Sequence, residues 1–206
     1  VTAPDTPLAI DAVWRIESPR LIAGLTRIVR DVGLAEDLAQ DALVAALEQW
    51  PAAGVPENPG AWLMAAAKHK AIDHLRHHKM ADRVHGELGA RRRPDEPEES
   101  EFGDDMLRLI FMTCHPVLAP EARVALTLRL LGGLTTDEIA RAYLVPEPTI
   151  AQRIVRAKKT LAEERVPFEV PEGPELAARL GSVLEVLYLI FNEGYSATAG
   201  NDWIRP

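Results

Sequence analysis

Four side chains between Thr149 and Arg156 are of types that read DNA. Thr149, Gln152, Arg153 and Arg156 stand at i, i+3, i+4 and i+7, which places them on one face if the segment is helical. Arginine offers a bidentate fork to guanine and glutamine does the same for adenine. Lys158 and Lys159, next along the chain, suit phosphate oxygens. Ile150, Ile154, Ala157 and Leu161 stand at i, i+4, i+7 and i+11 and form a separate apolar stripe. An ordinary amphipathic helix with solvated Arg and Lys shows the same pattern, so spacing alone leaves both readings open.

A second cluster lies upstream. Trp62 opens a segment whose later half holds Lys68, His69, Lys70, Arg76, His77, His78, Lys79 and Arg83. An aromatic ring with cations suits single-stranded nucleic acid, by base stacking and by neutralising the backbone. The alternative puts Trp62 in a core and the charges in solvent. Catalytic chemistry has less to work with. His74, His77 and His78 beside Asp73, or Cys114 beside His115, are metal-ligand types, but the chain has neither HExxH nor CxxC. Imidazoles on a cationic helix also repel a metal cation. There is no Gly-rich phosphate loop and no GxSxG elbow. The expectation is therefore a chain with no catalytic residue, no metal and no cofactor. A helical metal-dependent enzyme is the catalytic alternative.

These residues need elements to hold them. The chain has 206 residues, 47% of them hydrophobic, enough for one large or two small cores without staples. Its one cysteine, Cys114, cannot form an internal bridge, which fits a reducing, cytoplasmic setting. No run of eighteen apolar residues would span a membrane. Val1 to Leu8 lacks the basic and apolar regions of a secretory signal, and the missing initiator Met suggests a trimmed chain. The net charge of −8 by itself argues against a nucleic-acid partner, but the charge is uneven. Residues 85–105 carry eight acidic and three basic side chains, and residues 166–206 carry six and two. Residues 60–84 carry five Lys/Arg against two Asp, and residues 146–165 carry five against three Glu.

The hydrophobic pattern is helical nearly throughout and lacks period-two runs. A first helix is expected over Leu8–Val32, interrupted near Pro19 and stopped by Gly33. A second is expected over Ala35–Trp50, with a stripe of Leu43, Leu47 and Trp50 and a stop at Pro51. Pro51 to Pro59 reads as a loop, and a third helix runs from Pro59 or Gly60 to about Arg83. Residues 85–104 read as an acidic linker too poor in apolar groups to fold. Helices follow over Asp104–Thr113 and Pro120–Leu131. A short one is capped by Thr135 or Thr136, a turn covers Leu144–Glu147, and a long one ends at Glu164. The short helix, tight turn and longer basic helix make a helix-turn-helix. An apolar helix over Glu175–Phe191 closes the chain, and Leu184, Leu187, Tyr188 and Phe191 are expected to seek a partner. The fold class is all-α. The expected domains are 1–84 and 105–166, joined by the linker 85–104, with a C-terminal helical segment 167–206.

Asn58–Pro59–Gly60–Ala61–Trp62–Leu63–Met64–Ala65–Ala66–Ala67–Lys68, followed by Ala71–Ile72–Asp73–His74–Leu75–Arg76, closely resembles region two of extracytoplasmic-function (ECF) RNA polymerase sigma factors. Ala35 to Asp41 resembles the start of that family's polymerase-binding helix. Leu134 to Leu161 resembles region four, with Asp137–Glu138–Ile139–Ala140, Val145–Pro146–Glu147, Thr149 and Arg156–Ala157–Lys158–Lys159 in register. Leu187 to Tyr195 is similar to the beginning of a helical, TPR-like C-terminal extension of one subgroup. The chain ends before such an extension could complete a core, so a truncated extension is expected.

The resemblance implies the following roles. Asp37, Gln40, Asp41, Val44 and Glu48 would dock on the clamp helices of polymerase β′, with the β subunit as a further contact of the core enzyme. The loop Ala52–Asn58 would capture a flipped base of the minus-ten element. Asn58, Trp62, Lys68, His69, Lys70, Arg76, His77 and Lys79 would hold the opened strand. Thr149, Gln152, Arg153, Arg156, Lys158 and Lys159 would bind the minus-thirty-five element. The implied partners are core RNA polymerase and promoter DNA, with the chain's own C-terminal segment as a regulator and no membrane. Lys68–His69–Lys70 stands where Arg–Asn is frequent in the family, Leu144 where glycine is frequent and Gln152 where serine is common. The first removes the family's usual asparagine contact, the second makes a left-handed turn less comfortable, and Gln152 implies a distinct promoter preference. A stand-alone helix-turn-helix regulator would leave the Trp62 helix unexplained.

Overall fold

The computed structural model describes residues 6–85 and 99–197, with side chains for 6–76 and 104–191. Among the described residues there are eight α-helices and no strand. They fall into two compact units, Val1–Met106 and Leu107–Pro206. Residues 86–98, most of the expected linker, lie outside the described residues, but Glu99–Gly103 is helical and forms the start of α4.

In the first unit, α1 (Thr6–Val29), α2 (Val32–Ala53) and α3 (Pro59–His85) pack on one another. Pro19 does not interrupt α1. A proline inside a helix costs about 3 kcal/mol, and burial of Leu21, Ile22, Ala23 and Leu25 offsets it. Nor does Gly33 end the helix. Arg30 takes the left-handed turn (φ 60°), its N–H bonding the Thr26 carbonyl at 2.8 Å. Asp31 then caps α2 by accepting from the Leu34 N–H at 2.9 Å, so Gly33 lies in the first turn of the next helix. Pro51 likewise sits inside the last turn of α2, and Gly54 (φ 85°) ends it by donating to the Trp50 carbonyl.

The buried face of α2 also differs from the expected Leu43/Leu47/Trp50 stripe. Ala35, Ala39, Ala42 and Ala46 are fully buried and Trp50 nearly so, while Leu43 is half-buried and Leu47 is exposed. Alanines let helix axes approach closely, and Ala67 and Ala71 of α3 are fully buried as well. The tight seam is built from small residues, which an argument from large side chains overlooks. Within the same unit, Asp105 is buried and pairs with Arg27 of α1 at 3.0 Å.

The second unit holds the end of α4 (Glu99–Thr113), then α5 (Pro120–Leu130), α6 (Thr136–Ala142), α7 (Glu147–Glu163) and α8 (Gly173–Ala197). Leu109, Leu126, Leu130, Ile139 and Ile150 fill its core. Gly132 is required by space, since a Cβ there would stand 2.7 Å from the Leu128 carbonyl oxygen. The long closing helix is α8, and the side it buries is not the expected one. Arg179, Val183 and Val186 face inward, and Leu184, Leu187, Tyr188 and Phe191 remain exposed. Burial pushes the Cys114 thiol up, which leaves it an unreactive core group packed against Thr113 and Thr127. No described helix is long and apolar enough to cross a membrane.

Candidate nucleic-acid interface

The helix-turn-helix is built as its local sequence demands. Thr135 caps α6 with a reciprocal box: its Oγ1 accepts from the Glu138 N–H at 3.2 Å, and Glu138 Oε2 accepts from the Thr135 N–H at 2.9 Å. The turn into α7 passes through Leu144 at φ 52°, a conformation glycine adopts freely and L side chains resist. Leu144 is 93% exposed, so its side chain has no packing that offsets the strain. Leu144→Gly is therefore expected to stabilise the second unit by about 0.5–1 kcal/mol, the left-handed penalty less the added freedom of the unfolded chain. Urea unfolding measures it, and a loss of stability would show that the leucine side chain contributes packing here.

In α7, Ile150, Ile154, Ala157 and Leu161 are all buried, the same four positions that the spacing selects. Gln152, Arg156 and Lys159 are exposed on the other side, while Thr149, Arg153 and Lys158 are half-buried. Lys159 pairs with Glu163 at 3.6 Å, an exposed contact easily given up to a phosphate. Val155 was missed from sequence because it is apolar, yet it is 63% exposed between Gln152, Arg156 and Lys159.

The first unit gathers its polar groups on α2 and α3. Asp37, Gln40, Asp41, Val44 and Glu48 are all exposed on α2, with Val44 as an apolar centre and Leu47 exposed at the edge beside Gln40. Asp41 is paired across to Lys70 of α3 at 3.1 Å. Asn58 caps α3 by accepting the Ala61 N–H at 3.0 Å, a role the sequence left unassigned. Trp62 is half-buried, with its ring 5.3 Å from that of Trp50 and inclined by 67°. Lys68 is half-buried, and His69 and Arg76 are exposed and flank Asp73 at 3.5 and 3.6 Å. The side chains of His77, His78, Lys79 and Arg83 lie outside the described set. A cavity of about 370 Å³ opens at the end of α2, lined by Thr6 and by Trp50 to Val55. The Trp50 Nε1 is buried with no hydrogen-bond partner. Among the described residues, no group of three or more His, Cys, Asp or Glu side chains could hold a metal ion.

Comparison with known proteins follows these two units. The family described as Sigma-70 region 2 matches residues 14–80, and that described as Sigma-70, region 4 matches residues 108–161. An uncharacterized protein of Rhizobium meliloti is 37% identical over 202 residues, 95% of this chain and 48% of that protein. The ECF RNA polymerase sigma factor SigC of Mycobacterium tuberculosis is 31% identical over 147 residues, 68% of this chain and 75% of its own length. The probable ECF RNA polymerase sigma factor SigI of the same organism is 26% identical over 167 residues, 78% of this chain and 57% of SigI. The chain thus spans about half the length of the Rhizobium relative and three quarters of SigC.

Proposed function

Because this chain belongs to the ECF RNA polymerase sigma factors, we propose that it binds core RNA polymerase and lends it promoter recognition and strand opening, as an initiation factor rather than an enzyme. The observation that carries this reading is the pairing, in one chain, of a helix-turn-helix exposing Gln152 and Arg156 with a separate unit that exposes cations along a Trp-bearing helix. A stand-alone regulator needs only the first of these.

The roles divide by chemistry. The face Asp37, Gln40, Asp41, Val44, Leu47 and Glu48 on α2 presents an apolar centre with an acidic rim, the composition of a docking patch for a basic partner surface. On the family's pattern this partner is the β′ clamp helices. The cavity beside Trp50 to Val55 has the volume to admit one unstacked base of the opened strand. His69, Lys70 and Arg76, with His77 and Lys79 beyond them, would track the backbone of the opened strand. On α7, Gln152, Arg153 and Arg156 would read base edges, with Thr149 beside them, and Lys158 and Lys159 would hold phosphates.

The deciding experiment is in vitro transcription with core polymerase on a randomised promoter library. Enrichment of a two-part promoter supports the reading, and an absence of any chain-dependent start sites rejects it. Within that assay two substitutions on α7 should separate. Arg153→Ala is expected to cost about 1–3 kcal/mol at its preferred sequence and to relax the preference at one or two upstream positions. Lys159→Ala should weaken binding evenly across sequences and flatten the salt dependence by about one unit of slope. Equal, sequence-blind losses from both would reverse the division between base reader and phosphate contact.

A further inference from the structure

The matched region-four segment ends at residue 161, yet the helix beyond it completes the same core. The inner face of α8 supplies Val183 and the fully buried Val186 to a cluster with Phe111, Cys114 and Val124, and Tyr143 packs against that cluster. Tyr143 is the C-cap of α6, and the next residue is Leu144, whose left-handed backbone turns the chain into α7. The joint of the helix-turn-helix is therefore seated partly on α8.

Two arginines, each more than nine-tenths buried, hold α8 in that seat. Arg123 of α5 donates from Nη1 to Glu185 Oε2 at 2.7 Å and from Nε to the Leu118 carbonyl at 2.9 Å. Arg179 of α8 donates from Nη2 to the Phe111 carbonyl at 2.8 Å and from Nη1 to Glu175 at 3.2 Å. A guanidinium that stays buried while its acceptor is removed is left uncompensated, so each pair matters most while α8 is packed. α8 packs on α5 and α6, and Gln152 and Arg156 of α7 stay exposed to solvent. Its contacts thus bear on how α7 is held and leave the reading face open.

We infer that α8 is a positioning element of the DNA-reading unit: through Val183, Val186 and Tyr143 it sets the angle at which the Tyr143–Leu144 turn delivers α7, and the Arg123–Glu185 pair is its latch. The functional half of this inference rests on the reading of α7 as the promoter-reading helix. Tyr143 is a positioning residue, acting through α7. The outer face of α8 has no part in it.

The test uses the full chain with Glu185→Lys, which sets a like charge against Arg123, and Val186→Ala, which removes the core contact. Glu185→Gln keeps an acceptor for Arg123 and serves as the conservative control. Amide hydrogen exchange is followed in residues 136–146 and 173–191, well below the unfolding temperature. Selectivity is the ratio of holoenzyme affinities for a duplex selected by the wild-type holoenzyme and the same duplex with its upstream element scrambled. Glu185→Lys and Val186→Ala are expected to speed exchange in 136–146 about tenfold and to cut the ratio about tenfold. Affinity for the scrambled duplex, which reports phosphate contacts, should hold, and Glu185→Gln should stay near wild type. If 173–191 loosens while 136–146 exchanges as before, α8 is a passenger and the inference is overturned. If neither segment changes, the latch is overturned. A wild-type holoenzyme with no upstream selectivity would sink the promoter-reading role of α7 instead, and the exchange data would still decide whether α8 positions the turn.

Discussion

Trp50→Ala is expected to cost the first unit about 3–5 kcal/mol, the range for deleting a fully buried large aromatic side chain. Trp50 is 2% exposed and meets Trp62 edge to face at 5.3 Å, so the substitution removes both area and a favourable ring contact. The space cannot be refilled cheaply, because the neighbouring residues of α2 are alanines and a cavity already lies beside the ring. Trp50→Phe should cost far less, because a phenyl ring still fills most of the space. The indole N–H has no hydrogen-bond partner to strand when it is removed. Urea unfolding followed by circular dichroism measures both changes. An alanine variant that loses less than about 1 kcal/mol would mean the site collapses, and that Trp50 does not anchor the unit.

Asp37→Lys is expected to weaken core polymerase binding by roughly 100-fold, since like-charge juxtaposition at a docking surface costs several kcal/mol. Asp37 is the cleaner choice on that face. Asp41 is already paired to Lys70 at 3.1 Å, so a lysine at Asp41 would also repel Lys70 and disturb α2 against α3. Asp37 is exposed on α2 without such a cross-helix contact among those described, so its reversal should leave helicity unchanged. Val44→Ala tests the apolar centre of the same patch, being 51% exposed. Pull-down by core polymerase with undiminished affinity for Asp37→Lys would move the docking surface off α2.

Elements with strong local causes were legible from the residues alone. The Thr135–Glu138 capping box, the proline-led starts of α3 and α5, and the stripe Ile150, Ile154, Ala157 and Leu161 depend on residues within two or three turns of one another, and each formed where the pattern put it. The family motifs were legible for the same reason, as short contiguous strings. Stops that rest on one residue's preference fared worse. Pro19, Gly33 and Pro51 all lie inside helices, because burial along α1 and α2 outweighs a local preference worth a few kcal/mol at most. Where both faces of a helix are apolar, long-range packing chose which one is buried. On α2 the small alanines won the core, and Leu47 was left exposed. On α8 the larger side chains Leu184, Leu187, Tyr188 and Phe191 were left outside. There Val183 and Val186 match the space beside α5, and two arginines that look solvated in the sequence find fixed partners 62 and 68 residues away. Periodicity reveals that a helix has apolar faces. The choice between them depends on the shape and partners of a surface assembled from distant parts of the chain.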